Sequence, residues 1–361
     1  MTYICSTGLG VPPNAIQQEE ITELVQDIFR SSSRHITRLL PVFKNAEVAR
    51  RQFVVSRDWF RSDHSFKERN DLYQQHAVTT SLEAIDNCLA NETFLKKEVP
   101  YDAIDMILFV SSTGIATPSI DTYLYNQRDF RSDIKRMPLW GLGCAGGAIA
   151  LSRAHDWITA NPDKTALIVC CELCSLTFQR SDLKKSNIIG SALFGDGTAA
   201  VLLMGETSPY RSHLKTSPAK ILHTSSRTKK HSTDVMGWDV TDQGLEVIFS
   251  RSIPSLVDSF WREHSSAFFK ERELEEGMIH SYIAHPGGKK VLEAMEEVLE
   301  TSKTKLKHSY HVLKNHGNMS SATVFYVLNE VMKEQNPEKA KSILSALGPG
   351  FSSELLLLEW T

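Results

Sequence analysis

The chain has 361 residues, more than a typical single domain, so it should form one large α/β unit or two halves that share a core. Its composition, 41% hydrophobic and 23% charged, is ordinary for globular proteins and excludes a collagen-like or disordered chain. The formal net charge of -3 offers no overall field to nucleic acid or an anionic membrane, so an anionic ligand must meet a local basic patch.

The N-terminal segment does not resemble a targeting signal, because Met1, Thr2, Tyr3 and Ile4 are not a basic region followed by a long apolar run. No apolar stretch approaches the roughly 18 residues that a membrane span needs. The sequence therefore predicts a cytoplasmic protein with no membrane span and no nucleic-acid partner.

Short apolar runs alternate with longer helical patterns along the chain. The predicted strands are 106–110, 166–171, 199–204, 281–284 and 355–358. The clearest predicted helices are 144–160 and 291–299, where apolar residues recur at helical spacing. This alternation predicts a layered α/β fold with largely buried sheets.

Cys144 lies among glycines at the start of the first of these helices, in the segment Trp140-Gly-Leu-Gly-Cys144-Ala-Gly-Gly147. Glycines permit a sharp turn and a close approach of substrate, and the helix N-terminus favours a thiolate, the form that attacks a thioester. Taken alone, the motif fits a buried cysteine in a glycine-rich packing corner better than a nucleophile.

The remaining cysteines give no sign of a disulfide framework or a metal site. Four of the six cysteines fall between positions 144 and 174, and Cys171 and Cys174 form one C-x-x-C pair. A single pair without further ligands cannot complete a tetrahedral zinc site. We interpret these cysteines as buried small residues at a strand end.

The polar stretch 205–217 has no periodicity and is flanked or interrupted by Pro209 and Pro218. It predicts a join between an N-terminal half, residues 1–206, and a C-terminal half, residues 217–361. No fixed-period repeat occurs in the sequence, so any duplication would be structural only.

Two further motifs carry polar side chains that could serve a thioester. His285 ends a predicted strand in Ile283-Ala-His285-Pro-Gly-Gly288, a position where sites of α/β proteins collect. Asn318 lies in the loop Asn315-His-Gly317-Asn318-Met-Ser-Ser321, before an apolar helix. Each has a plain alternative, a hydrogen-bonded turn histidine and a turn or capping asparagine.

Together Cys144, His285 and Asn318 supply a nucleophile and two neutral hydrogen-bond donors. Such donors can stabilise the enolate that remains when a malonyl thioester loses carbon dioxide. A hydrolase would instead use a carboxylate to orient its histidine.

Five motifs occur in order and span most of the chain: Gly143-Cys-Ala-Gly-Gly147, Ser191-Ala-Leu-Phe194-Gly-Asp-Gly197, His285-Pro-Gly-Gly288, Gly317-Asn-Met-Ser-Ser321 and Gly348-Pro-Gly350. In these motifs the sequence resembles the type III polyketide synthases, the chalcone and stilbene synthase family. The resemblance implies an α/β, thiolase-like layered αβαβα fold of two similar halves, assembled as a homodimer.

The resemblance also implies acyl-CoA and malonyl-CoA as substrates, with no cofactor and no metal. Cys144 would carry the starter and the growing chain. His285 and Asn318 would hold the thioester carbonyl and stabilise the enolate, and His285 would keep Cys144 ionised. The sequence as a whole is similar to bacterial members that make alkylpyrones from long-chain fatty acyl-CoA starters. Alkylresorcinols are the alternative product.

The resemblance assigns a further set of residues to the reaction cavity. Phe194 matches the aromatic gatekeeper of the family, whereas the second gatekeeper aromatic of the plant enzymes is replaced by Val247. Thr117 stands where the plant pattern has methionine, in a loop near the family's dimer interface. The other aligned cavity positions are Ser112, Cys174, Thr177 and Ser320. The small residues at 174, 247 and 320 suggest room for a long chain.

The CoA phosphates need a local cationic cluster because the protein as a whole is slightly acidic. The predicted CoA-binding residues are Lys44, Arg50, Arg51 and Lys290, although surface cations are as often simply solvated.

The sequence argues against three other classes of protein with related chemistry or the same fold. A β-ketoacyl-ACP synthase III has its histidine in a His-Gln-Ala-Asn context, unlike His285-Pro-Gly-Gly288. A thiolase needs a second catalytic cysteine near the C-terminus, but Cys174 is the last cysteine here. A non-catalytic acyl-CoA-binding protein of the same fold would have a broken triad, and all three positions are occupied.

Overall fold

Strands and helices alternate along the chain, as the sequence predicts. The computed structural model describes residues 1–361, with side chains at all positions except 31, 33, 34 and 35. The strands are β1 (Thr2–Gly10), β2 (Asn14–Gln17), β3 (Arg50–Phe53), β4 (Met106–Ser111), β5 (Lys135–Trp140), β6 (Thr165–Leu173), β7 (Asp196–Gly205), β8 (Ala219–Thr228), β9 (Met236–Thr241), β10 (Gly244–Phe249), β11 (Ile279–Ala284), β12 (Lys341–Gly348) and β13 (Ser352–Trp360). The α-helices are α1 (Gln18–Ile28), α2 (Ser33–Leu39), α3 (Pro41–Asn45), α4 (Phe66–Leu89), α5 (Ile120–Tyr125), α6 (Gly146–Ala160), α7 (Lys185–Leu193), α8 (Ile253–Leu256), α9 (Arg262–Glu271), α10 (Lys289–Leu299), α11 (Lys307–His316) and α12 (Thr323–Lys333).

The five predicted strands are confirmed, each within an observed strand: 106–110 in β4, 166–171 in β6, 199–204 in β7, 281–284 in β11 and 355–358 in β13. The helix predicted from residue 144 begins with the 3-10 turn Gly143–Ala145 and continues as α6. The helix predicted over 291–299 begins two residues earlier, at Lys289. The stretch 205–217, predicted to join the halves, leads from β7 toward β8 through the 3-10 turn Pro209–His213.

One nine-stranded sheet carries the same strand pattern twice, in the order β11-β12-β13-β8-β1-β7-β6-β4-β5. In the N-terminal half, β1 is antiparallel to β7, β7 is antiparallel to β6, and β6 is parallel to β4. In the C-terminal half, β8, β13, β12 and β11 repeat those three relations in the same order. The halves meet where β1 pairs with β8, so the duplication is structural, as expected.

The two halves of the sheet enclose α6 and α12 as a middle layer. Helix α6 contacts β4 and β6 on one side and β12 and β13 on the other, and α12 likewise contacts both halves. Along β13, Leu356 and Leu358 belong to the core that contains α6 and α12. The alternate residues, Leu355 and Leu357, face a second core formed with α8 to α10. With α4 packed outside β1, β7 and β6, the layers are those of the predicted thiolase-like αβαβα fold.

This layering places the starts of α6 and α12 side by side in the middle of the molecule. The strands beside them, β6 and β7, are buried along their whole length, which explains their continuous apolar sequence. None of the helices described combines the length and the apolarity that a bilayer crossing requires.

Candidate active site

Cys144 lies in the tight turn Gly143–Ala145 that leads into α6, and its side chain is partly exposed. Gly143 has a φ of 46°, and a Cβ there would lie 2.7 Å from Pro349 Cδ, so both conformation and space require glycine. At Gly147 a Cβ would lie 2.5 Å from Ser321 O. The glycines therefore let the Cys144 turn pack directly against the segment that carries Asn318.

The Asn318 side chain is oriented by its own turn. Its Oδ1 accepts hydrogen bonds from Ser320 N at 2.8 Å and from Thr323 Oγ1 at 3.5 Å. Because these two donors fix the oxygen, Nδ2 is directed at Gly287 O, 3.3 Å away, and lies 3.8 Å from Cys144 Sγ. The amide thus presents an N–H donor beside the thiol.

The backbone of Asn318 is tied to the predicted gatekeeper. Asn318 N donates to Leu193 O at 2.8 Å, and Gly195 N donates to Asn318 O at 3.0 Å. These two bonds form a one-residue parallel bridge between Asn318 and Phe194. The structure therefore places Phe194 next to the triad.

His285 directly follows β11 and is 2% exposed. Among the described residues neither of its ring nitrogens has a hydrogen-bond partner, and burial lowers the imidazole pKa to about 3. The ring lies beside Gly287, since a Cβ at Gly287 would be 3.8 Å from His285 Nε2. Gly287 O in turn accepts a hydrogen bond from Asn318 Nδ2, so the ring is near the Asn318 turn. His285 is therefore a neutral imidazole with one free N–H and one free lone pair.

The surroundings of Cys144 act on the pKa of its thiol in both directions. Burial raises the pKa of the Cys144 thiol to about 11, and hydrogen bonds with Ser320 and Asn318 oppose part of that rise. No hydrogen bond joins His285 to the sulfur among the described residues. The expected ionisation of Cys144 by His285 stays a prediction.

Glu172, which the sequence interpretation missed, connects the two loops of the site. Its carboxylate accepts a hydrogen bond from Ser112 N at 2.9 Å and another from Ser321 Oγ at 2.6 Å. Ser112 Oγ in turn accepts from Gly143 N at 3.0 Å. Ser112, predicted to line the cavity, therefore supports the Cys144 turn. The available signal was a single charged residue in the otherwise uncharged strand β6.

An apolar cavity that is partly open to solvent lies against Phe194. Four predicted cavity residues line it: Cys174, Thr177, Phe194 and Val247. Its far wall comes from one face of α1 and from aromatic rings: Ile21, Leu24, Val25, Ile28, Phe53, Phe60 and Phe178. Ser320 is buried beside Cys144 instead, and Thr117 is exposed at the surface.

Trp238 is a second aromatic residue at the gate that the sequence interpretation missed. It lies opposite Val247 in the hairpin β9–β10, and its ring centroid is 6.0 Å from that of Phe194. The aromatic ring absent at position 247 is thus present on the neighbouring strand. Only the pairing of the hairpin brings these residues together, so spacing in the sequence gave no signal.

Three of the predicted CoA cations lie at the surface. Lys44, Arg50 and Lys290 are exposed, and none has an ion-pair partner among the described side chains. Arg51 is the exception and corrects the prediction: it is 0% exposed, and its guanidinium donates to Ser191 O and Phe194 O. A cation that is buried and donates through both Nη atoms to protein acceptors cannot receive a CoA phosphate.

The C-x-x-C pair is buried and reduced. Cys171 and Cys174 are both free and lie inside the protein. In the part of the chain whose side chains are described, no group of three or more histidine, cysteine or carboxylate side chains could hold a metal ion.

Comparison with known proteins gives matches over the whole chain. The family model for the N-terminal domain of chalcone and stilbene synthases matches residues 1–207, and the model for their C-terminal domain matches residues 222–360. A Bacillus subtilis (strain 168) protein named "Putative chalcone synthase" is 44% identical over 362 residues, covering 100% of this chain and 99% of that protein.

Two further relatives have named products. The 1,3,6,8-tetrahydroxynaphthalene synthase of Streptomyces peucetius subsp. caesius is 31% identical, covering 99% of this chain and 93% of that enzyme. The crystal structure of the synthase of the same name from Streptomyces coelicolor A3(2), a bacterial type III polyketide synthase, superposes with a TM-score of 0.92 at 28% identity, covering 99% of both chains.

Proposed function

The chain belongs to the chalcone and stilbene synthase family and is a type III polyketide synthase, an acyl-transferring condensing enzyme; we propose that it extends a long-chain fatty acyl-CoA with malonyl-CoA. The proposed products are alkylpyrones, alkylresorcinols or both. With the family established, the β-ketoacyl-ACP synthase III and the non-catalytic binding protein are set aside. The relatives' names refer to tetrahydroxynaphthalene and phloroglucinol, so the long-chain starter is a proposal for this chain alone.

The observation that carries the proposal is the apolar cavity behind Phe194. Aliphatic side chains of α1 and aromatic rings form most of its wall. Arg51 is the only charged residue among its lining residues, and its Nη1 and Nη2 already donate to protein acceptors. An acyl chain suits such a wall, because each buried methylene contributes about 0.8 kcal/mol.

We propose that His285 acts as the base and Asn318 as a hydrogen-bond donor when the starter is loaded onto Cys144. Cys144 Sγ attacks the carbonyl carbon of the starter thioester while the free lone pair of His285 takes the thiol proton. The new C–S bond replaces the bond to CoA, and the departing CoA sulfur takes up that proton. The Asn318 amide, 3.8 Å from the sulfur, donates to the carbonyl oxygen as it becomes negative.

Extension begins when malonyl-CoA binds with its thioester carbonyl oxygen at the two hydrogen-bond donors, His285 and Asn318. Its carboxylate carbon leaves as carbon dioxide, and the electron pair of the broken C–C bond forms an enolate whose oxygen accepts from His285 and Asn318. The enolate carbon attacks the Cys144 thioester, a C–C bond forms, and the sulfur leaves with the electrons of the C–S bond. The extended chain is then a CoA thioester that can reload on Cys144.

CoA is proposed to bind along Lys44, Arg50 and Lys290. All three are exposed, unpaired cations, and Lys290 is close in sequence to the His285 turn. Lys289, next to it, is already engaged by Glu47 at 2.6 Å. Phosphate groups of CoA would give the unpaired cations their counter-charges.

All six cysteines are free, which supports a reducing compartment such as the cytoplasm.

A panel of acyl-CoA starters with labelled malonyl-CoA tests the proposed starter. We expect labelled carbon dioxide and alkylpyrone or alkylresorcinol products with long chains, identified by mass spectrometry. Val247→Phe should fill part of the cavity and reduce kcat/KM for a long starter roughly tenfold relative to a short one, because apolar pockets discriminate at that level per misplaced methylene.

Ile248→Phe is the matched control for that variant, since the next residue of a strand points to the opposite face. It should leave the starter preference of the native enzyme unchanged. A starter range that is the same in Val247→Phe as in Ile248→Phe would contradict the role of the cavity, and unchanged malonyl-CoA with every starter would contradict the proposed function.

A homodimer is proposed through the edge of the sheet at β5. This outermost strand has an exposed face, and large apolar side chains lie exposed around it: Ile115 at 44%, Tyr123 at 36% and Trp140 at 53%. Trp140 Nε1 donates to Gly114 O at 3.0 Å, which joins the strand end to the loop that carries Thr117. Exposed apolar groups on an unpaired edge mark an interaction surface.

We expect Trp140→Arg to convert the dimer to a monomer, measured by analytical ultracentrifugation, because a charge at the centre of an apolar interface is costly to bury. Met278→Arg is the control, since Met278 is similarly exposed, at 48%, but belongs to the C-terminal half. If both variants sediment like the native protein as dimers, the interface lies elsewhere.

A further inference from the structure

Arg51 is a buried cation whose two Nη atoms donate hydrogen bonds to protein acceptors, whereas its Nε has no hydrogen-bond partner among the described residues. Its Nη1 donates to Ser191 O at 2.7 Å and Phe194 O at 2.8 Å, and its Nη2 donates to Gln18 Oε1 at 2.6 Å. A guanidinium group is costly to bury unless it is hydrogen-bonded in this way. The free-energy cost of burying this cation is therefore offset mainly by the hydrogen bonds that it makes at this position.

These bonds complete the end of helix α7, where the last carbonyl groups have no partner within the helix. Consecutive carbonyls there accept hydrogen bonds from three sources outside the helix: Ser191 O and Phe194 O from Arg51, Ala192 O from Gln18 Nε2 at 2.9 Å, and Leu193 O from Asn318 N at 2.8 Å. The backbone of Asn318 is thus held by the same turn that Arg51 and Gln18 hold from the other side.

The stem of Arg51 also packs against the loop before Asn318. Gly317 has a φ of 69°, and a Cβ there would lie 2.5 Å from Leu193 O and 2.7 Å from Arg51 Cδ. The loop therefore rests on Arg51 without intervening space, and a shorter or differently shaped side chain would leave it unsupported.

We propose that Arg51 is a positioning residue that sets the places of Asn318 and Phe194, an inference that rests on the proposed role of Asn318 in decarboxylation. Arginine is needed because its planar fork reaches two carbonyl groups and Gln18 at once, whereas a lysine ammonium cannot reproduce that geometry. A displacement of about 1 Å in a donor can cost on the order of 100-fold in rate.

Decarboxylation should be affected more than loading. Loading uses the Asn318 amide together with attack by the Cys144 sulfur, which Arg51 does not contact, whereas enolate formation depends on the hydrogen-bond donors alone. We therefore expect Arg51→Lys to lower malonyl-CoA decarboxylation on the order of 100-fold and Cys144 acylation by a smaller factor. Gln18→Leu, which removes one acceptor of Arg51, should change the ratio in the same direction by a smaller factor.

The experiment measures labelled carbon dioxide release, Cys144 acylation by intact-protein mass spectrometry, and thermal melting for each variant. Arg69→Lys is the matched control, because Arg69 is also buried, at 5% exposure, and donates to the Phe178 and Gln243 carbonyls. It should lose comparable stability while the ratio of decarboxylation to acylation stays at the native value.

The proposal is overturned if folded Arg51→Lys keeps the ratio of the Arg69→Lys control, or if both rates fall by the same factor. Should Arg51→Lys not fold, an unchanged ratio in Gln18→Leu overturns it. If the native enzyme releases no carbon dioxide, or Asn318→Ala is as active as the native enzyme, the proposed function itself fails.

Discussion

Cys144→Ala is expected to form no acyl-enzyme and to lose condensation by a factor on the order of 10⁶, the loss typical of a deleted nucleophile. The reason is local: the sulfur is the only nucleophile at the start of α6, 3.8 Å from the Asn318 amide. Intact-protein mass spectrometry after incubation with a fatty acyl-CoA should detect the adduct on the native protein and none on the variant.

The same variant should still decarboxylate malonyl-CoA at a measurable rate. Enolate formation uses His285 and Asn318 as donors and makes no bond to the sulfur, so acetyl-CoA should accumulate without chain extension. Cys174→Ala is the control, because Cys174 is a buried cysteine of the cavity wall and should leave the adduct on Cys144 intact. An acyl adduct that persists on Cys144→Ala would show that another residue is the nucleophile.

The sequence was sufficient for the layered fold because that fold depends on local signals. Continuous apolar runs marked the buried strands β4, β6 and β7, and period-3.6 patterns marked α6 and α10. Glycine at 143 is required by a positive φ and by contact with Pro349, so the motif around Cys144 reports real steric constraints.

The Arg51 prediction was wrong for a reason that the neighbouring residue makes clear. Arg50 and Arg51 are adjacent arginines, but Arg50 is exposed at the start of β3, whereas Arg51 is 0% exposed and the rest of the strand is buried with it. The apolar run around β3 is too short to reveal which face is buried. Only the pairing of β3 with β2 and its packing against the end of α7 decide it.

The state of the triad was also beyond the sequence. A glycine-flanked cysteine at a helix start suggests a thiolate, whereas burial acts in the opposite direction and raises the thiol pKa to about 11. Burial likewise keeps His285 neutral, with a pKa of about 3. These values depend on how completely the two halves enclose the site, and that enclosure involves residues far apart in the chain.

His285→Gln is expected to separate the two functions of the imidazole. Glutamine can still donate an N–H to an enolate oxygen, but it cannot accept the thiol proton. We expect Cys144 acylation to fall on the order of 1,000-fold and malonyl-CoA decarboxylation only about tenfold, whereas His285→Ala should lower both on the order of 100-fold or more. Equal losses of both rates in His285→Gln would contradict the assignment of the proton to His285.

Stability measurements give an independent test of the same residue. Because burial holds the His285 pKa at about 3, below the unfolded value of 6.5, the unfolded chain binds the extra proton between those pH values, and stability must fall as the pH drops below 6.5. Between pH 6.5 and pH 5 this residue should cost on the order of 2 kcal/mol, or 1.36 kcal/mol per pH unit. Urea unfolding of the native protein should show that loss, and His285→Gln should reduce it by that amount. An identical pH dependence in the two proteins would mean that the imidazole has the same pKa in the folded state as in the unfolded chain, which contradicts the lowering of its pKa by burial.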